Sequence, residues 1–201
     1  MRKFLLALGS ILLQACVSVL PEAAPPSARY EVTDVSFANF DHAPVAWTLG
    51  IDEPGATLAF DTAKIAISSE PSRIEYFAGG QWVDRAPRLF GVALLRSFEN
   101  AGVIKGVGNK VTLPASTYVL QTDIRRLAIL EEGGRTADVA IFVRLTNGRS
   151  KVYASRLFEA TEPVGDDTPG AAAKALNSGL GSVQRDIVLW AIEAAGAASK
   201  N

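Results

Sequence analysis

Few side chains in this sequence could do chemistry on their own. The chain has one cysteine, Cys16, and one histidine, His42. A lone cysteine can build neither an intramolecular disulfide nor a multi-cysteine metal site. His42 lies in Asp41-His42-Ala43-Pro44. An Asp-His pair can orient a general base, but covalent catalysis also needs an activated Ser, Thr or Cys nucleophile, and no Gly-x-Ser-x-Gly elbow occurs. The adjacent carboxylates Glu131-Glu132 and Asp166-Asp167 point to opposite faces of an extended chain, which suits solvated turns better than a metal site. Gly79-Gly80 and Gly106-Val107-Gly108 lack the following lysine-threonine or helix N-terminus that a phosphate cradle requires. The residue types therefore argue against an enzyme and imply no metal.

Cys16 has a more informative setting. The cationic pair Arg2-Lys3 precedes an apolar run over residues 4–13, which is the layout of an export signal. The run is about half the roughly 20 residues needed to span a bilayer. It ends in Leu13-Gln14-Ala15-Cys16, which resembles a lipobox, with an apolar residue three before the cysteine and a small one just before it. That resemblance implies cleavage before Cys16 and acylation with chains such as palmitate; a covalent lipid on Cys16 is then the only cofactor-like group expected. Several acyl chains hold durably where one holds marginally, at about 0.8 kcal/mol per buried methylene. The competing reading is an ordinary secretory signal cut elsewhere. Loss of residues 1–15 removes two basic groups and no acid, taking the formal charge from −1 to −3, which suggests no nucleic-acid partner.

The remaining chain must position whatever function there is. Three prolines and almost no charge over residues 17–28 predict an extended tether. Residues 29–37, 45–51, 64–68 and 74–77 read as short strands between turn signals. Asp84 is the expected N-cap of a first helix carrying Leu89, Phe90, Ala93, Leu94, Ser97 and Phe98 on one face, with Gly102 as its stop. Residues 118–130, 139–146 and 151–159 read as three strands, the last two joined at Asn147-Gly148. Leu120 and Ile124 fall out of phase with Leu127 and Ile129, which predicts a bulge at Arg125-Arg126. A final helix capped by Thr168 carries Ala172, Leu176, Leu180, Val183, Ile187, Trp190 and Ala194 on one stripe, with Gly179 and Gly181 permitting close approach to a sheet. The expected class is α+β: an antiparallel β-sheet with two main α-helices packed on it, preceded by a lipoprotein signal peptide and a flexible tether. The expected divisions are residues 1–15 (signal peptide), 16–28 (lipidated cysteine and tether) and 29–198 (one domain). No repeat occurs at a solenoid period. Tyr76, Phe77 and Trp82 flank Ala78-Gly79-Gly80-Gln81, where a tight turn would cluster them as core packing or as a contact for a partner or lipid.

Several segments occur in a familiar order: Lys64-Ile65-Ala66-Ile67, Ile74-Glu75-Tyr76-Phe77-Ala78-Gly79-Gly80-Gln81-Trp82, Ala86-Pro87-Arg88-Leu89, residues 118–126, Ala154-Ser155-Arg156-Leu157-Phe158 and Asp186-Ile187-Val188-Leu189-Trp190. Across residues 45–192 the chain resembles the ABC-type transport auxiliary lipoproteins, relatives of paraquat-inducible protein C. It departs from them in a longer opening at residues 37–44 and in Lys64, where arginine is commoner. The resemblance implies a non-enzymatic periplasmic component of a lipid transport system. Its partners would be an Mce-domain protein, an inner-membrane permease and an ATPase. In such systems the Mce-domain protein shields lipids crossing the periplasm, and a lipid-anchored domain would secure the far end of that conduit. Val17 stands where an aspartate would signal inner-membrane retention, so the resemblance implies the outer membrane; the sorting rule varies among bacteria, and the inner membrane is the other location. A lipid-binding carrier is the alternative function, and self-association into a homo-oligomer stays open.

Overall fold

The computed structural model of the protein describes residues 27–199, residues 39, 71, 110 and 150 excepted. The expected signal peptide, Cys16 and nearly all of the tether lie outside the described residues.

The spine of the sheet is the strand β7 (Tyr118–Leu130), numbered like all elements here in chain order. On one side it pairs along its whole length with antiparallel β8 (Thr136–Thr146), which pairs in turn with antiparallel β9 (Val152–Pro163). On the other side three short strands dock parallel to it, one after another: β2 (Val45–Ile51) beside Tyr118, β3 (Gly55–Ala56) beside Asp123, and β4 (Lys64–Glu70) beside Ala128. Beyond β2 lies parallel β6 (Ile104–Asn109); beyond β4 lies antiparallel β5 (Arg73–Trp82), and beyond part of β5 lies parallel β1 (Ala28–Tyr30). The class is α+β, as expected, and the sheet is mixed. Antiparallel pairing holds where a short connection joins the strands; the parallel pairs arise because successive segments of the chain run the same way along one edge of β7, and because α1 (Ala86–Ala101) carries the chain from β5 over to β6.

The predicted bulge is present. Ile124 pairs with Ile141 and Arg126 with Ala140, leaving Arg125 as the extra residue. The extra residue restores the phase, so Leu120, Ile124, Leu127 and Ile129 are all buried. Both helices stand on the expected residues. Phe90, Ala93, Leu94, Ser97 and Phe98 of α1 are buried, and Gly102 closes it at φ 68° with its N–H donating to Glu99 O. In α2 (Pro169–Ala198) the Thr168 hydroxyl accepts from Ala171 N at 3.2 Å, the predicted cap. Gly179 lets α2 approach the sheet, since a Cβ there would stand 3.0 Å from Val139 Cγ2.

Three expectations are corrected. Residues 29–37 do not form one strand: β1 ends at Tyr30, and the following segment has no sheet partner. The Ala78-Gly79-Gly80-Gln81 segment is not a turn but an irregular stretch of β5. Lys64 pairs with Gln81 while Ala66 pairs with Tyr76, so β5 bulges there, with Gly79 at φ 75°. The N-cap position of α1 is Arg85 rather than Asp84; Asp84 accepts from Arg85 N at 2.7 Å and pairs with Arg88 one turn on at 3.0 Å. The hairpin expected at Asn147-Gly148 is present between β8 and β9, and in its loop Asn147 Oδ1 accepts from Arg149 N and Lys151 N.

Candidate functional site

The residues with chemical potential are placed as structural parts. His42 Nδ1 lies 2.8 Å from Ala43 O, and its ring stacks on Phe40 at 5.8 Å. Phe40 in turn meets Phe37 edge-on at 5.6 Å. Glu131 and Asp167, one from each acidic pair, converge on Arg135 and clamp the β7–β8 turn to the start of α2. Among the described residues no group of three or more His, Cys, Asp or Glu side chains is placed to hold a metal ion, and no helix is long and apolar enough to cross a membrane.

The sequence-predicted aromatic trio is divided. Trp82 is 1% exposed and belongs to the core, and Phe77 is half-buried against the same core. Tyr76 is 37% exposed on the other face of β5; its hydroxyl donates to Ala59 O at 3.3 Å, and Lys64 Nζ sits 5.1 Å above its ring. The feature favouring a lipid carrier, three aromatics around one site, is therefore separated onto two faces of the sheet. On the Phe77 face, Glu75 accepts from Ser69 Oγ at 2.9 Å and pairs with Arg73 at 2.8 Å; both partners hold its carboxyl below the usual carboxylate range, the Ser69 hydrogen bond most of all.

The segment that leads from β1 into the domain is built with more care. Residues 31–37 belong to no strand or helix, and helix side chains take the place of a sheet ladder. Thr33 N donates to Asn177 Oδ1 at 3.0 Å, and Gln184 Nε2 donates to Thr33 O at 3.2 Å. Val35 N donates to Ser97 Oγ at 2.9 Å, and Asn100 Nδ2 donates to Val35 O at 3.0 Å. Ser97 Oγ and Gln184 Oε1 lie 2.8 Å apart, joining α1 to α2 beneath the strap; both residues are fully buried. Val35 and Phe37 turn inward, and the Arg185 guanidinium covers the Phe37 ring at 5.2 Å. Buried polar groups must find partners. Here they do so by binding a stretch of the chain's own backbone. The sequence signal was Ser97, a polar residue on an apolar helix face. Asn100, Asn177 and Gln184 carried none.

The sheet face opposite the helices is charged rather than apolar. Arg126 bridges Asp138 at 2.6 Å and Glu159 at 2.9 Å across three strands, and the Phe142 ring lies under the guanidinium groups of Arg125 and Arg144 at 5.4 and 4.6 Å. Three clefts of about 560 to 610 Å³ open on the surface; the one of 610 Å³ lies between α1 and the turn after β6, lined by Ile51, Pro54, Val92, Leu95 and Val111.

A mixed sheet under two helices, with an extended strap where the tether arrives, defines a class of small α+β domain. The sequence pattern of the ABC-type transport auxiliary lipoprotein component family matches residues 33–188, and the chain belongs to that family. That family is described as a lipoprotein component auxiliary to ABC-type transport. The crystal structure of a protein from Xanthomonas campestris superposes with a TM-score of 0.77 over 89% of this chain and all of that one, at 24% identity. A second solved structure, of an uncharacterized protein, gives 0.62 over 82% of this chain and 97% of its own, at 11% identity. An uncharacterized protein of Bradyrhizobium diazoefficiens is 28% identical over 148 residues, which is 72% of this chain; the match spans only 39% of that relative's length.

Proposed function

We propose that this chain is a non-enzymatic, lipid-anchored docking component of an ABC-type lipid transport system, held at the outer membrane and facing the periplasm through a lipid on Cys16. The observation that carries the reading is the pairing of the family match over residues 33–188 with the lipobox-like Leu13-Gln14-Ala15-Cys16 upstream of it. A domain whose histidine and acidic pairs serve packing and ion pairs has its surfaces to offer, and its place is set by the anchor. Its partners are an Mce-domain protein, a permease and an ATPase. The domain divisions follow: signal 1–15, tether 16–28 and docking domain 29–198.

The test is affinity purification of the tagged full chain from membranes in mild detergent, with its partners identified by mass spectrometry. An Mce-domain protein is the expected partner. Its absence, under conditions that keep the membrane complex intact, overturns the reading.

A further inference from the structure

Leu58, in the loop between β3 and β4, is 87% exposed, an unusual position for a leucine in a well-formed domain. It does not stand alone. Ala59, its neighbour, accepts the Tyr76 hydroxyl, Tyr76 and Ile74 alternate onto the same face of β5, each 37% exposed, and Lys64 reaches over the Tyr76 ring. The patch thus holds an aliphatic tip, a half-exposed phenol and a cation. That is the side-chain set that lies at a membrane–water interface, with leucine toward the acyl chains, tyrosine at headgroup depth and lysine beside phosphate.

The place where the chain enters the domain says what covers this patch. Ala28 of β1 pairs with Gly80 of β5, and the neighbouring Gln81 pairs with Lys64. The tether therefore arrives two strands from Lys64. Because β1 is parallel to β5, the chain before Ala28 points toward the Tyr76 and Ile74 end of that strand. Only residues 17–27 separate this point from Cys16. A chain of that length spans about 20 Å as a flexible coil and about 35 Å if its prolines keep it fully extended, so either way it reaches no farther than about the width of a domain with a radius of gyration of roughly 15 Å. A short tether sets a local concentration in the millimolar range, at which a weak contact is occupied.

We infer that Leu58, Tyr76, Ile74 and Lys64 form a second membrane contact, which lays this edge of the domain on the bilayer that holds its anchor. The inference rests on the lipid-anchored reading above. It fixes the domain's orientation and turns β6, at the opposite edge of the sheet from β1, and the Val111 turn that follows it away from the tether's point of entry.

The test uses the full, processed chain in vesicles of phosphatidylethanolamine and phosphatidylglycerol. Cys16 is the sole cysteine, so once it is acylated, Leu58→Cys and Val111→Cys each supply one thiol for a fluorophore. Brominated acyl chains are expected to quench the label at 58 several-fold more than the label at 111, and Lys64→Glu to reduce the quenching at 58. Mass spectrometry of the same samples reports acylation of Cys16. Acylated protein with equal or no quenching at 58 overturns the patch alone; a Cys16 without lipid overturns the anchor and the patch with it.

Discussion

Tyr118 shows how much one side chain can couple. It begins the central strand, meets Trp47 and Tyr153 edge-on at 5.4 and 5.2 Å, and donates its hydroxyl to Ala195 O near the end of α2 at 3.2 Å. Burial, and secondarily Tyr153, push its phenol above the ordinary tyrosine value of 10.0. A phenol that ionises later in the folded chain than in the unfolded one contributes stability that is complete below the unfolded value and is lost as pH rises through the folded one. Stability is therefore expected to fall above pH 10, and Tyr118→Phe to flatten part of that fall while costing about 1 kcal/mol at neutral pH through the lost hydrogen bond. Urea unfolding of both proteins across the alkaline range measures this; parallel curves would show that Tyr118 does not titrate with the fold. Nothing in the sequence around Tyr118 foretold this role, because Ala195 and Tyr153 reach it only through the fold. Leu58 was equally silent, since one leucine between turn residues reads as ordinary loop. The lipobox-like pattern at Cys16 is of the opposite kind, a signal carried entirely by adjacent residues, and it lies outside the described residues.

At the scale of elements, the chain was readable where its pattern was closed within one segment. The β7 bulge, the Thr168 cap and the Gly102 stop each follow from residues within a few positions of one another. The strap was misread because Tyr30, Val32, Val35 and Phe37 look like a strand, whereas the groups that take its hydrogen bonds come from Ser97, Asn100, Asn177 and Gln184, far away in sequence. β6 was passed over because Gly106 and Gly108 weaken a strand pattern; a Cβ at Gly108 would come within 2.8 Å of Leu113 Cβ, so crowding calls for glycine there. The two helix glycines make a test of such crowding. Gly181 has open space around it, the nearest atom being Val35 Cγ2 at 3.9 Å, so Gly181→Ala is expected to stabilise α2 by about 0.5–1 kcal/mol. Gly179 faces Val139, Ala160 and Glu162, so Gly179→Leu must push α2 off the sheet and lose about 1–3 kcal/mol. Denaturation midpoints should move in opposite directions. A gain at both positions would show that α2 has more clearance than the backbone spacing implies.

For the molecule as a whole, the strap decides how firmly the segment before β2 is tied to the domain, and so whether the lipid proposed on Cys16 would hold the domain or merely leash it. A tether joined only to β1 would rest on a three-residue strand at a sheet edge, pairing Ala28, Arg29 and Tyr30 with β5. The next residues instead lie across both helices, with four backbone groups bound by side chains and two apolar side chains buried. If the proposed lipid on Cys16 holds the chain to a membrane, load from it passes into the helix layer, and through the Ser97–Gln184 contact it is shared between α1 and α2. Removing the clamp should loosen the junction without unfolding the sheet. With Asn100→Ala and Asn177→Ala combined, the backbone groups of Thr33 and Val35 lose partners, at a cost of about 1–3 kcal/mol for each group that stays buried. Amide hydrogen exchange followed by mass spectrometry is expected to quicken over residues 28–38 and along β5, while β7, β8 and β9 keep their protection. Quickening spread evenly over the sheet would mean that strap and core unfold as one unit. The domain would then have no separable junction between the proposed anchor and the surfaces proposed to meet a transport partner.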